Sequence, residues 1–102
     1  MRKAEIYQQG TLAGFFEELG QNRYRIVYVT GYRGQPISLA LPVREAPYLF
    51  DKFPPVFEGL LPEGLQLEAM LRQCKIDRKD LFQQLVVVGQ DVVGALTVKE
   101  VT

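Results

Sequence analysis

The segment AEIYQQGTLAGFFEELGQNRYRIVYVT, residues 4–30, predicts three antiparallel strands joined by two turns. Turn-forming residues interrupt it at 8–10 and again at 20–22, and Gly10 can adopt the positive φ that a tight connection needs. Residues 23–30 alternate between arginine or valine and tyrosine, isoleucine or threonine, which is the period of a strand with one wet face. The predicted antiparallel strands are Ala4–Tyr7, Thr11 to about Glu18, and Arg23–Thr30.

Beyond residue 30 the sequence predicts a fourth short strand, a group of helices and a returning strand. Prolines at 47, 54, 55 and 62 divide the middle of the chain into short helical turns. The predicted elements are a short strand or extended segment at Ile37–Pro42, helices at Pro54–Leu61 and Glu63–Cys74, a helix with Asp77 as N-cap and Gly89 as C-cap, and a closing strand at Val92–Val101.

Two of these helices carry an apolar stripe that we expect to face the core. The stripe of the Glu63–Cys74 helix is Leu67, Met70, Leu71 and Cys74, at the i, i+3, i+4, i+7 spacing. The next helix would bury Leu81, Phe82, Leu85 and Val86. Strands followed by helices and a last strand predict an α+β fold, a small antiparallel β meander with a C-terminal group of short helices, in a single domain spanning 1–102.

Composition excludes several classes of function. The chain has 102 residues, of which 47% are hydrophobic and 24% charged, so we expect one folded domain rather than disorder. Twelve basic residues balance twelve acidic ones, which leaves no net field to attract nucleic acid or anionic lipid. No apolar run is long enough for a signal peptide or a spanning helix, and the single cysteine, Cys74, fits a reducing compartment. We therefore expect a cytoplasmic protein without membrane association.

The residue types needed for catalysis or metal binding are scarce. Histidine is absent, and the only serine, Ser38, stands in an apolar segment with no base to activate it. The adjacent carboxylates Glu17 and Glu18 leave a strand on opposite faces, so they cannot share a metal, and we interpret them as solvated edge charges. Cys74 is interpreted as core. We predict no catalytic residue, no metal site and no cofactor.

Leu65 does not fit the core pattern of its helix. At about 100° per residue it lies about 160° from Leu67, almost opposite the apolar stripe. It follows the rigid bend Pro62-Glu63-Gly64, and an apolar side chain on such a bend suits a partner's pocket. A lone exposed leucine is also common on inert surfaces, and the residues alone leave both interpretations open. The candidate partner surface is Leu61, Pro62, Glu63, Gly64, Leu65 and Gln66.

Two phrases of the sequence, FEGLLPEG at 57–64 and VVVGQDVVGAL at 86–96, resemble the N-terminal subdomain of HipA-type serine/threonine kinase toxins. A SLALP segment at 38–42 fits the same pattern, and the resemblance covers essentially the whole chain. The matching residues of the two phrases are Phe57, Leu60, Leu61, Pro62, Glu63, Gly64, Gly89, Asp91, Gly94 and Ala95.

The resemblance implies a role in a toxin–antitoxin system. The nucleotide loop, catalytic aspartate and metal ligands of HipA-type kinases lie beyond the part that this chain resembles. The chain therefore looks like a free-standing HipS-like antitoxin, which would bind a separate HipT-like serine/threonine kinase and keep it inactive. A HipB-like helix-turn-helix repressor would join them in a ternary complex and supply the only, indirect, contact with DNA.

Two alternatives remain from the same residues. The chain could be a structural or activating subunit of a split HipA-type kinase, which keeps the partner but reverses the effect. It could also be an unrelated small ligand-binding domain, although it offers no convergent set of polar residues for a ligand. Asp91 and Gly94 are expected to be determinants of the fold rather than contacts.

Overall fold

The computed structural model describes residues 2–89 and 96–101, which form an α+β fold around one five-stranded antiparallel sheet. The strand order is β4-β3-β2-β1-β5, so the strand at the start of the chain pairs with the one at the end. The elements are β1 (Arg2–Gln8), β2 (Thr11–Gly20), β3 (Arg23–Tyr28), β4 (Tyr48–Phe50), α1 (Pro55–Glu58), α2 (Gly64–Cys74), α3 (Leu81–Val88) and β5 (Leu96–Glu100).

The predicted meander is confirmed. The β1–β2 turn places Gln9 and Gly10 at φ 51° and 83°, a two-residue hairpin turn in which both residues have positive φ. Tyr24 and Ile26 of β3 point to the buried side of the sheet, as their alternation predicted. The predicted opposite directions of Glu17 and Glu18 are also confirmed, although their interpretation as solvated charges is wrong, as described below.

The fourth strand was predicted in the wrong place. Residues 37–42 form a tight turn, in which only Ser38 and Leu41 make an isolated bridge, and β4 lies instead at Tyr48–Phe50. The Leu41 N–H donates to the Ser38 carbonyl at 2.9 Å, which folds the segment back on itself. The buried hydroxyl of Tyr28 accepts from the Ile37 N–H at 2.8 Å and donates to the Leu41 carbonyl, so both ends of this turn are fixed to β3.

Aromatic rings fill the space between the sheet and the helices. The ring of Phe16 lies 4.7 Å from that of Phe57, 5.3 Å from Phe82, 5.5 Å from Tyr24 and 5.7 Å from Phe53, measured between centroids. Fully burying one such side chain stabilises the fold by about 1.5–3 kcal/mol. Because α1 and α3 supply two of these rings, they occupy the inner face of the sheet.

Helix α2 consequently lies outside this core, and the predicted role of its stripe is wrong. None of its residues is buried: Leu67, Met70 and Leu71 are half-buried, and Cys74 is exposed. The helix ends at Lys75, whose left-handed φ of 56° terminates it. Amphipathic spacing therefore gave the side of α2 that packs on the protein, but not the depth to which it packs.

The third helix begins one turn later than predicted. Its N-cap is Asp80, which accepts a hydrogen bond from the Gln83 N–H, whereas Asp77 accepts from the Lys79 N–H in the preceding turn. Phe82, Leu85 and Val86 are buried as predicted, while Leu81 is half-buried.

The predicted C-cap at Gly89 is confirmed, but its physical basis differs from a left-handed cap. Its φ is −66°, and the position requires glycine because an added Cβ would lie 2.8 Å from both the Leu85 carbonyl oxygen and the Val98 Cβ. The predicted closing strand is confirmed over Leu96–Glu100, whereas its first part, the Gln90-Asp91 turn and the Gly94 bend lie outside the described residues.

Candidate partner-binding surface

A tight, hydrogen-bonded bend connects α1 to α2 and contains the residues that the sequence singled out. After α1 the chain continues in tight turns, in which the Leu60 N–H donates to the Phe57 carbonyl and the Leu61 N–H to the Glu58 carbonyl. Phe57 is fully buried, so it anchors the start of the bend in the core. Leu60 and Leu61 pack against that core from outside.

The bend delivers Leu65 to the solvent. Glu63 is the extended N-cap of α2, and Gly64 follows with φ +59°, a conformation that favours glycine. Leu65 is 87% exposed and Gln66 is also exposed, whereas Leu67 is half-buried. The predicted outward direction of Leu65 is therefore confirmed.

A small groove opens on the other side of the bend. It measures about 270 Å³ and lies between the end of α1, the bend, the start of α2, and the first turns of α3 with the segment that leads into them. Three of the six candidate residues, Leu61, Pro62 and Glu63, belong to its wall. The structure thus separates the candidate set into a groove on one side and the exposed Gly64, Leu65 and Gln66 on the other. The complete lining is Glu58, Leu61, Pro62, Glu63, Leu67, Arg78, Leu81 and Gln84.

Gln84 is a groove residue that sequence reasoning missed. Its side chain is only 2% exposed, and its Nε2 donates to the Arg78 carbonyl at 2.8 Å and to the Asp77 carbonyl at 3.4 Å. These bonds hold the turn before α3 against the helix. A glutamine among apolar helix residues is the only local signal that could have indicated this role.

A larger, polar cavity of about 640 Å³ lies elsewhere, beside the start of β1, and three of the charged groups that line it form ion pairs with one another. The Arg2 guanidinium donates to both carboxylate oxygens of Glu18 at 2.8 and 2.9 Å and to both of Asp80 at 2.8 and 3.0 Å. The hydrogen bond from Arg2 lowers the pKa of Asp80, with a smaller contribution from the Gln83 N–H. The cluster ties β1, β2 and the start of α3 together, so we interpret it as structural.

Glu17, on the opposite face of the sheet, is also engaged. It is only 7% exposed, and its carboxylate accepts from the Arg25 Nε at 2.5 Å. The prediction of solvated edge charges is therefore wrong for both members of the pair, because each has an arginine on a neighbouring strand.

A second exposed apolar feature lies at the 37–42 turn. Leu39 is 96% exposed at its tip, next to an apolar pocket of about 310 Å³ that Ala40, Leu41 and Tyr48 help to line. The sequence does not indicate this feature, because Leu39 falls within the segment predicted to be extended.

The described part of the chain contains no group of three or more His, Cys, Asp or Glu residues placed to hold a metal ion. None of its helices has the length and apolar character to cross a bilayer. The described residues do present two strongly exposed leucines on turns of the backbone, Leu39 and Leu65.

Comparisons with known proteins define the family. A family model described as the HipA N-terminal domain matches residues 4–99, so the chain belongs to the HipA N-terminal domain family. It is similar to an uncharacterized protein of Haemophilus influenzae, with 28% identity over 100 residues that cover 98% of this chain and 93% of the relative. A solved structure of the N-terminal domain of HipA toxin shares the fold, with a TM-score of 0.77 at 24% identity, and covers 100% of this chain and 94% of that one.

Proposed function

We propose that this protein is the antitoxin of a three-component toxin–antitoxin system, which binds and inhibits a separate HipT-like serine/threonine kinase. Membership of the HipA N-terminal domain family supports the type of system. The Haemophilus influenzae relative, 93% of which this chain covers, consists almost entirely of this domain. A HipB-like repressor would complete the complex, and any contact with DNA would be through that repressor.

The observation that carries the proposal is the exposure of Leu65 at the end of a bend that the core anchors. An 87% exposed leucine on a fixed backbone loses little conformational entropy when a partner covers it. Its burial would contribute about 1.5–3 kcal/mol, or about 10- to 100-fold in affinity. The domain would act by binding the kinase. When a domain is encoded separately, the contact that it would make within a longer chain becomes a dissociable interface between two proteins.

The test is a pair of leucine substitutions on two exposed surfaces. Leu65→Asp should leave the fold unchanged, weaken binding to the co-expressed kinase about 10- to 100-fold and abolish the rescue of growth. Leu39→Asp, at an equally exposed leucine on the 37–42 turn, is the matched control and should rescue growth as the wild-type chain does.

Two results would contradict the proposal. If Leu39→Asp fails and Leu65→Asp protects, docking uses the 37–42 turn rather than the bend. If co-expression of the wild-type chain deepens toxicity, the chain is an activating subunit of a split kinase. Pull-down of the kinase with each variant shows whether any loss of rescue reflects a loss of binding.

A further inference from the structure

The groove beside the bend has the size of a receptor for a single side chain. Pockets for drug-sized ligands and cofactors usually enclose about 300–1,000 Å³. This groove, at about 270 Å³, lies just below that range and is open to solvent along its length. A cleft of this kind suits one inserted side chain of a protein partner, the arrangement found at the centres of protein interfaces.

The floor and the rim of the groove have different chemistry. Leu61, Pro62, Leu67 and Leu81 contribute apolar surface, and all four are half-buried. Because these four side chains are still partly exposed, an apolar side chain placed among them would bury both its own carbon surface and the exposed part of theirs.

The rim carries negative charge that the described residues do not neutralise. Glu58 and Glu63 are exposed, and neither takes part in an ion pair within the described part of the chain. Arg78 is the only basic residue in the lining, and its guanidinium is paired with Glu68 on α2. The electrostatic complement of this rim is therefore a Lys or Arg side chain.

We propose that the groove receives a segment of the partner protein in which an apolar side chain is flanked by Lys or Arg. The inference rests on the proposed function for the identity of the partner, whereas the residue types of the inserted segment follow from the lining of the groove. Leu65 and Leu67 project about 160° apart on α2, so the groove and the exposed leucine lie on opposite sides of the first helical turn. A partner that contacts both encloses that turn.

The first experiment does not depend on the kinase. The ¹⁵N-labelled full chain is titrated with the peptide acetyl-Gly-Lys-Leu-Lys-Gly-amide and, as matched control, with acetyl-Gly-Glu-Leu-Glu-Gly-amide. The basic peptide should shift the amide signals of Glu63, Leu67 and Leu81, and the acidic one should not. The variant Glu58→Lys/Glu63→Lys should lose about tenfold in affinity for the basic peptide.

Equal shifts with both peptides, shifts confined to other parts of the chain, or no shifts at all would overturn the proposal. The ¹⁵N spectrum of the free variant shows in the same experiment whether it is folded. The double variant Glu45→Lys/Asp51→Lys, at two exposed carboxylates outside the groove, changes the net charge by the same amount and is the control.

The second experiment uses the complex with the kinase. Glu58→Lys/Glu63→Lys should slow association about tenfold at low salt, and the difference should shrink as salt screens the charges. An association rate and salt dependence equal to those of Glu45→Lys/Asp51→Lys, which carries the same net charge, would overturn the proposal. If the wild-type chain fails to bind the kinase but binds the basic peptide in its groove, the proposed function fails and the groove assignment stands.

Discussion

Gly64 and Gly59 offer a matched pair for testing the backbone that presents Leu65. Both glycines flank the Leu60–Glu63 bend, and an ideal Cβ at either position would have no atom within 4 Å. They differ in conformation, because Gly64 has φ +59° whereas Gly59 is right-handed at φ −66°. The variants Gly64→Ala and Gly59→Ala should therefore differ in backbone strain, because neither added methyl group meets another atom.

The expected magnitude follows from two opposing effects. Replacing glycine by alanine restricts the unfolded chain, which stabilises a protein by about 0.4–1 kcal/mol where the native φ suits alanine. Holding an L-residue in the left-handed region costs about 1–2 kcal/mol. Because the first effect is common to both substitutions, Gly64→Ala should be less stable than Gly59→Ala by about 1–2 kcal/mol.

Urea unfolding followed by circular dichroism measures this difference, with the m-value as the check that the transition is unchanged. Gly64→Asn should recover part of the loss, since asparagine tolerates the left-handed region better than alanine does. Equal stability of Gly64→Ala and Gly59→Ala would refute the reasoning, because it would mean that residue 64 is not held at positive φ in solution.

Three other expectations can be checked on the same chain. The hydrogen bond from Arg2 lowers the pKa of Asp80 below its ordinary 3.8, so the free energy of unfolding should fall as the pH drops below about 4. Asp80→Asn can still cap α3 but cannot titrate, so it should flatten that fall. Urea titrations at several pH values measure both. Phe57→Ala should lower the free energy of unfolding by about 3–5 kcal/mol, whereas Leu71→Ala on α2 should lower it by no more than about 1 kcal/mol. Thermal unfolding compares the two variants. A larger loss for Leu71→Ala would contradict the position of the core. Cys74 should react with a thiol reagent as fast in the folded chain as in urea, and protection in the folded state would restore the original expectation that it is buried.

The meander could be predicted because its signals are local. A strand with alternating residues and a turn with glycine or asparagine are specified by neighbours in sequence, and Asn22 indeed adopts the positive φ of 57° that its turn needs. The exposure of Leu65 was predictable for the same reason, since it depends only on its angle from the helix stripe.

The errors arose where distant residues decide the outcome. Asp77 and Asp80 are equally suitable caps by sequence, but Asp80 is held by the Arg2 guanidinium from the other end of the described chain. The stripe of α2 remains half-buried because Phe53 and Phe57, from the proline-rich segment, already pack on the sheet. The groove could not be predicted, because its walls come from two stretches of the chain, 58–67 and 78–84, whose relative position the sequence does not show.

Strand β1 lies between one strand that is close in sequence and one that is distant. Ile6 pairs with Gly14 on one side and with Val98 on the other, and only the first of these partners is a sequence neighbour. The β1–β2 hairpin can form during synthesis, but β1 keeps an unpaired edge until β5 has left the ribosome. Until then the nascent chain displays an open strand edge, at which premature contacts with other nascent chains can occur.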